Sequence, residues 1–167
     1  MKIELITTGG TIDGADSDKG EIRKSSDVAK WLSDQPDIEF VHTPLFNKDS
    51  RLLSEEDRTK IAWAALNSPL DCVLVTHGTF TICKTGKAIK SIERQRILTK
   101  TILLVGSWIP FGERNSDAPV QMEFALRSFK TRPVGIYIAM DNRLWNPDAT
   151  EKVELAPGVY KLRTETL

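Results

Sequence analysis

The sequence predicts an α/β protein, a three-layer sandwich with a mostly parallel sheet. Three observations carry this. Short apolar runs recur along the chain, near residues 3–6, 38–42, 72–75, 101–105 and 134–139. Segments with apolar residues at helical spacing separate them. The runs end in polar stretches rich in turn-forming residues. Strands alternating with helices make right-handed parallel βαβ units. All strand exits then fall on one sheet edge, where open α/β sheets bind ligands.

The first strand, Ile3-Glu4-Leu5-Ile6, leads into Thr7-Thr8-Gly9-Gly10-Thr11-Ile12. Adjacent glycines let the backbone turn sharply and approach a ligand closely, so Thr11 is held just beyond the strand end. The polar run from Asp13 to Glu21 reads as a long loop, either a lid or a plain solvated loop. Ser26 and Asp27 start a short helix whose apolar face is Val28, Trp31 and Leu32. Ile38-Glu39-Phe40-Val41-His42 is the second strand. His42 has no motif around it and reads as a packed or half-exposed strand residue. Its exit, Phe46 to Arg51, offers Ser50 and Arg51. Ser54-Glu55-Glu56-Asp57 fits a capping box, and Ile61, Ala62, Ala65 and Leu66 line one face of the helix after it.

Cys72-Val73-Leu74-Val75 is continuous and apolar, as in a strand buried on both faces. Its exit is Thr76-His77-Gly78-Thr79-Phe80-Thr81. A helix bearing Ala88, Ile89 and Ile92 follows. The fourth strand exits through Ser107-Trp108-Ile109-Pro110. Asp117 and Pro119 are helix-start residues. The fifth strand ends near Met140. Segments 152–155 and 158–161, around Ala156-Pro157, read as a small C-terminal β-hairpin. The sheet is therefore expected to be flavodoxin- or Rossmann-like, with the N-terminal strand near its centre.

Composition narrows the function. Hydrophobic residues at 40% and charged residues at 28%, with zero formal net charge, suit a globular protein and give no nucleic-acid or membrane footprint. Cys72 and Cys83 are too few for a disulfide framework and have no zinc-like spacing; Cys72 is expected to be a small buried residue. No P-loop or GxGxxG occurs, since Lys84-Thr85-Gly86-Lys87 lacks the upstream glycine. Neither a metal nor a cofactor is expected. No signal-peptide core or membrane-length apolar run is present, so the cytosol is the expected compartment.

Two stretches resemble the signatures of the bacterial-type L-asparaginases. Thr8-Gly9-Gly10-Thr11-Ile12 is similar to the family's TGGTI, and Thr76-His77-Gly78-Thr79-Phe80-Thr81 to its THGTDT, with Phe80 in place of the aspartate. Ser107 to Pro110 resembles GAMRP or GAQRP. Asn115-Ser116-Asp117 resembles the segment that caps the next family helix, although plain helix-start signals explain it equally. Met140 and Lys152 keep the spacing between the family's strand-ending methionine and its catalytic lysine. The resemblance implies a single asparaginase N-terminal-like domain over residues 1–167, which is the first half of a typical member. A short single-domain relative, a subunit with a separate partner chain and an excised segment are all compatible with that.

By this resemblance Thr11 is the nucleophile toward a side-chain amide carbon, and Thr79 with Lys152 forms a second unit for water or proton transfer. A threonine hydroxyl needs such a base, commonly an amine kept neutral by its surroundings. Ser50 would meet the substrate carboxylate, with Arg51 adding a cation. Backbone N–H groups near Gly10 and Ser107 would hold the oxyanion. Gly10, Ser50, Gly78, Phe80 and Ser107 are thus the expected substrate-binding residues. Two departures matter. No tyrosine lies between Thr11 and Ser33, where the family has a catalytic one. Phe80 cannot bind an ammonium as an anion does, unless Asp13, Asp49 or Asp117 substitutes; a ring packed inward would mean a retired site.

The expected function is an asparaginase-like amidohydrolase acting on a small carboxamide, with altered or reduced activity on L-asparagine. The alternative is a catalytically inactive binding or sensor module for a small amide or carboxylate. A generic flavodoxin-like domain is disfavoured by two signatures in the right order at matching strand exits. The expected partners are a small-molecule amide or carboxylate and a second copy in a two-fold dimer or other homo-oligomer, with Trp108, Phe111 and Trp145 as contact residues.

Overall fold

A computed structural model describes residues 1–14, 26–94, 97–131 and 134–164. The expected loop from Asp13 to Glu21 lies for the most part outside them. The elements run β1 (Lys2–Thr7), α1 (Asp27–Ser33), β2 (Glu39–Pro44), α2 (Glu55–Asn67), β3 (Cys72–Thr76), α3 (Ile82–Glu93), β4 (Thr101–Val105), α4 (Ala118–Thr131), β5 (Gly135–Met140), β6 (Arg143–Trp145), β7 (Thr150–Ala156) and β8 (Val159–Thr164).

The main sheet has the order β2-β1-β3-β4-β5-β6. Its first five strands are parallel and β6 is antiparallel to β5. β1 stands second from one edge rather than at the middle. The chain lays β2 on one side of β1 and all later strands on the other. This reversal between β1 and β3 is the switch point at which doubly wound sheets open a ligand crevice.

Strand alternation sends side chains to opposite faces and so builds two cores. Ile6, Val73, Val75, Ile102, Leu104 and Ile138 pack with Ile61, Ala62 and Ala65 of α2 and Ile82 and Ile89 of α3. Ile3, Leu5, Leu74, Leu103, Val105 and Ala139 pack with Val28 and Leu32 of α1 and Met122, Ala125 and Leu126 of α4. The result is three layers. Each fully buried Ile or Leu contributes about 1.5–3 kcal/mol.

Local chemistry sets the element boundaries. Ser26 Oγ accepts from Ala29 N at 3.1 Å and opens α1. Ser54 and Asp57 complete the expected capping box, with Asp57 N donating to Ser54 Oγ at 3.1 Å and Ser54 N to Asp57 Oδ2 at 3.0 Å. Cys72 is half-buried rather than fully buried, at the margin of the α1/α4 core. β6 is the strand that sequence reading left as a loop. Asp141 and Asn142 take φ of 56° and 54°, and two consecutive left-handed residues form the tight turn that reverses a hairpin. Trp145 is thereby buried in the core, its Nε1 donating to Met140 O at 3.0 Å.

The hairpin of β7 and β8 forms as expected, with Lys152 opposite Leu162 and Glu154 opposite Tyr160. Leu162 plugs into the α2/α3 core, which fixes the hairpin over the sheet's exit edge. Among the described residues no helix is long and apolar enough to cross a membrane.

Candidate active site

The turn after β1 is shaped by its glycines. Gly9 and Gly10 have φ of 90° and 82°, a region other residues rarely adopt. A Cβ on Gly10 would strike the backbone of Gly78, and one on Gly9 would lie 2.5 Å from Lys48 N. The two exit loops thus touch through glycine backbones. Thr11 begins a single 3-10 turn immediately after this contact, and Thr8 Oγ1 ties the turn to β3 by donating to Thr76 O at 2.7 Å.

The β3 exit is pinned by His77, which is fully buried. Its Nδ1 bonds Gly78 O at 2.8 Å and its Nε2 bonds Thr85 Oγ1 at 2.7 Å. A carbonyl can only accept, so Nδ1 carries the proton and Thr85 donates to Nε2. Burial pushes His77 down to about 4, so the neutral ring is the working form. Thr81 Oγ1 donates to Ser50 O at 2.7 Å, joining the β3 exit to the β2 exit.

Two adjoining spaces result. The inner one, about 120 Å³, is lined by Gly10 and Thr11 from the first exit, Asp49 to Arg51 from the second, and Gly78 to Phe80 from the third. The outer one, about 390 Å³, shares Thr11, Thr79 and Phe80 and adds Trp108, Lys152 and the hairpin residues Gly158 to Tyr160. The structure therefore brings together Gly10, Thr11, Ser50, Gly78, Thr79, Phe80 and Lys152. Ser107 stands apart. It is buried, its hydroxyl donates to Ile109 O at 2.8 Å, and it lines neither space.

Lys152 Nζ is hydrogen-bonded to Thr79 Oγ1 at 2.9 Å. The charged amine donates in this contact, whereas the neutral amine can accept the threonine proton. Burial pushes Lys152 down to about 8, and the Arg51 guanidinium pushes the same way against the pull of Asp49. Aromatic rings surround the amine, with Phe80 at 3.5 Å, Tyr160 at 4.2 Å and Trp108 at 5.3 Å from Nζ to ring centroid. Ser50 is 2% exposed, and its Oγ has no hydrogen-bond partner among the described residues. Buried hydroxyls are normally satisfied, so this oxygen can take a ligand acceptor that draws close.

The three carboxylates considered as stand-ins at Phe80 separate cleanly. Asp13 is buried, accepts from Ser26 Oγ at 2.5 Å and Thr76 Oγ1 at 3.4 Å, and is raised by burial. Asp117 accepts from the amides of Trp108 and Ile109 at 3.0 and 2.9 Å, which occupies N–H groups close to Ser107. Only Asp49 lines the site. Arg51 holds it well below the usual carboxylate range.

Phe80 is not packed inward. It is 42% exposed, with Tyr160 edge-on at 5.5 Å and the Arg51 guanidinium 4.7 Å from its centroid. Sequence reading missed Tyr160 in this setting. Lys152 and Tyr160 share one hairpin face through the Glu154–Tyr160 pairing, and a period-two reading of the two strands would have found it. Trp108 is held at the rim by Asp141, to which its Nε1 donates at 3.0 Å; Phe111 packs on Trp31 at 6.1 Å. Among the described residues no His, Cys, Asp or Glu cluster could hold a metal.

A family model described as asparaginase, N-terminal, matches residues 2–158. The chain is 31% identical to the L-asparaginase of Thermococcus kodakarensis over 159 residues, covering 92% of this chain and 48% of that protein. It is 26% identical to L-asparaginase 1 of Escherichia coli K12 over 160 residues, covering 90% and 47%. The solved structure of the thermostable L-asparaginase from Thermococcus kodakarensis superposes with a TM-score of 0.79 at 28% identity, covering 96% of this chain and 51% of that one. The chain thus spans about half the length of the curated relatives it matches.

Proposed function

Because the chain belongs to the asparaginase family through its N-terminal domain, we propose that it is an amidohydrolase that cleaves a small carboxamide, with Thr11 as nucleophile. The observation that carries this is the 2.9 Å contact of Lys152 Nζ with Thr79 Oγ1, in a space that Thr11 also lines. An amine brought down to about 8 is neutral often enough near neutral pH to take a proton.

In this reading the Thr11 oxygen bonds to the amide carbon and its proton passes to the Thr79–Lys152 pair. The same proton goes on to the leaving nitrogen, which departs as ammonia. Water then enters by the same relay and releases the acid. One amide and one water give one carboxylic acid and one ammonia. Gly10 and the Gly78 turn bring backbone next to the reacting group, where N–H donors stabilise an oxyanion most strongly. Ser50 Oγ, buried and unpartnered among the described residues, takes the substrate carboxylate.

An ammonia-release assay over a panel of small amides tests the proposal, with Thr11→Ala and Lys152→Met as controls. Activity lost in both supports it; activity retained in Thr11→Ala refutes the nucleophile. The second reading is a binding or sensor module without turnover, favoured by the Phe80 ring at the position of the family's aspartate. Saturable amide binding with no ammonia release selects it. The reading includes a two-fold cytosolic dimer, on the base rate of closed symmetry; a monomer in sedimentation at tens of micromolar counts against that part.

A further inference from the structure

We infer that this site takes the monoamide of a small dicarboxylic acid that carries no α-ammonium group, and that Phe80 and Arg51 impose this choice. The inference rests on the amide-site reading and adds the substrate class.

An amino-acid substrate brings a cation that needs an acceptor. The inner space supplies cations instead. Arg51 lines it, and Lys152 stands at its mouth beside Thr79. Its one carboxylate, Asp49, is already saturated. Oδ1 accepts from Arg51 N at 2.8 Å and Arg51 Nε at 3.1 Å; Oδ2 accepts from Nε at 3.0 Å and Nη2 at 2.5 Å. A carboxylate has about four acceptor sites, so none is left for an ammonium.

The ring of Phe80 offers no substitute. Aromatic faces attract cations, but this one already faces Lys152 Nζ at 3.5 Å and the Arg51 guanidinium at 4.7 Å. A substrate ammonium there would be the third cation in one cluster. A substrate lacking it keeps what the site favours: its carboxylate meets Ser50 Oγ and the positive field of Arg51, its methylene carbons lie against Phe80, and its amide reaches Thr11. The small inner volume, about 120 Å³, suits a chain of about four carbons.

The test compares succinate with L-aspartate by isothermal titration calorimetry, and succinamate with L-asparagine by ammonia release, using the protein as it is. Succinate is expected to bind at least about tenfold tighter than aspartate. Phe80→Asp should reverse that order, because it adds an acceptor at an exposed position. Arg51→Gln should narrow the gap, because it frees Asp49. Equal or tighter binding of aspartate by the wild type overturns the inference. So does an unchanged ratio in a folded Phe80→Asp protein, and so does no binding of either acid up to about 10 mM. The two levels separate. Tight succinate binding without succinamate hydrolysis supports the ligand class and refutes turnover, whereas preferred hydrolysis of asparagine supports turnover and overturns the ligand class.

Discussion

The side-chain nitrogen of Lys152 lies 3.5 Å from the centroid of the Phe80 ring. That contact favours the charged amine, yet the amine is brought down to about 8 by burial and by Arg51. Desolvation and a like charge therefore outweigh the ring. If neutral Lys152 is the base, turnover should rise from pH 6 to pH 9 with a midpoint near 8. At pH 7 only about a tenth of the sites would be competent. Lys152→Met should lower kcat by about 100-fold or more. A pH–rate profile, flat across this range, would remove Lys152 from the proton relay.

Arg51 offers a check on the cause of that midpoint. Its guanidinium lowers Lys152, and Asp49, which it holds, raises it. Arg51→Gln removes the first effect and unmasks the second, so both changes act in one direction. The alkaline midpoint should move to higher pH, and turnover at pH 7 should fall even where substrate is saturating. An unchanged midpoint alongside a raised KM would leave Arg51 only a carboxylate-binding role.

The convergence of Thr11, Ser50, Thr79 and Lys152 was legible because it depends on strand alternation, which any apolar run reports. Features that depend on turn stereochemistry were less so. β6 is only Arg143–Trp145, too short to register as a period, and its direction comes from two left-handed residues at Asp141 and Asn142. Ser107 shows a second limit. The motif placed it at a strand exit, where it is, but not which way its hydroxyl turns; Ile109 O takes it. Tyr160 shows a third, since its place over Phe80 follows from hairpin register and from Leu162 anchoring the hairpin in the core.

His77 links the site to acid stability. Its folded-state pKa is about 4, against an ordinary value of 6.5. Above 6.5 both folded and unfolded chains hold it neutral, and it costs nothing. Between 6.5 and 4 the unfolded chain binds the proton and the folded one resists. Stability should therefore fall as pH drops through this window, by up to about 3 kcal/mol from this group. Urea unfolding at pH 7, 5.5 and 4.5 measures it. His77→Gln, less stable at pH 7, should show a shallower loss; an equal slope in both proteins would place the acid sensitivity elsewhere.

Gly10 should be intolerant of even one methyl group. Gly10→Ala puts a Cβ against Gly78 backbone while demanding φ of 82°. Left-handed backbone costs about 1–2 kcal/mol for a non-glycine residue, and the clash forces the two exit loops apart. Activity should disappear while most of the thermal stability remains, because the core beneath the loops is untouched. Circular dichroism melting with an activity assay separates the two. Wild-type turnover in this variant would mean that the contact between Gly10 and Gly78 does not position Thr11.

The most direct trial of the site is Phe80→Asp. Because Phe80 is 42% exposed, a carboxylate there keeps its hydration, and the fold cost is limited to the edge-on contact with Tyr160, about 0.5–1.5 kcal/mol. The new anion gains two cationic neighbours, Lys152 and Arg51, and gives an amino-acid ammonium the acceptor that Asp49 cannot spare. It also favours charged Lys152, so the alkaline midpoint should climb above its wild-type position and limit the gain at pH 7. Asparagine hydrolysis should become measurable where the wild type shows little, and should be greater at pH 9 than at pH 7. Thr11→Ala in the same background should abolish it, since no other nucleophile is at hand. If the folded variant hydrolyses asparagine no faster than wild type at either pH, Phe80 is not what limits the chemistry, and the binding-module reading takes precedence.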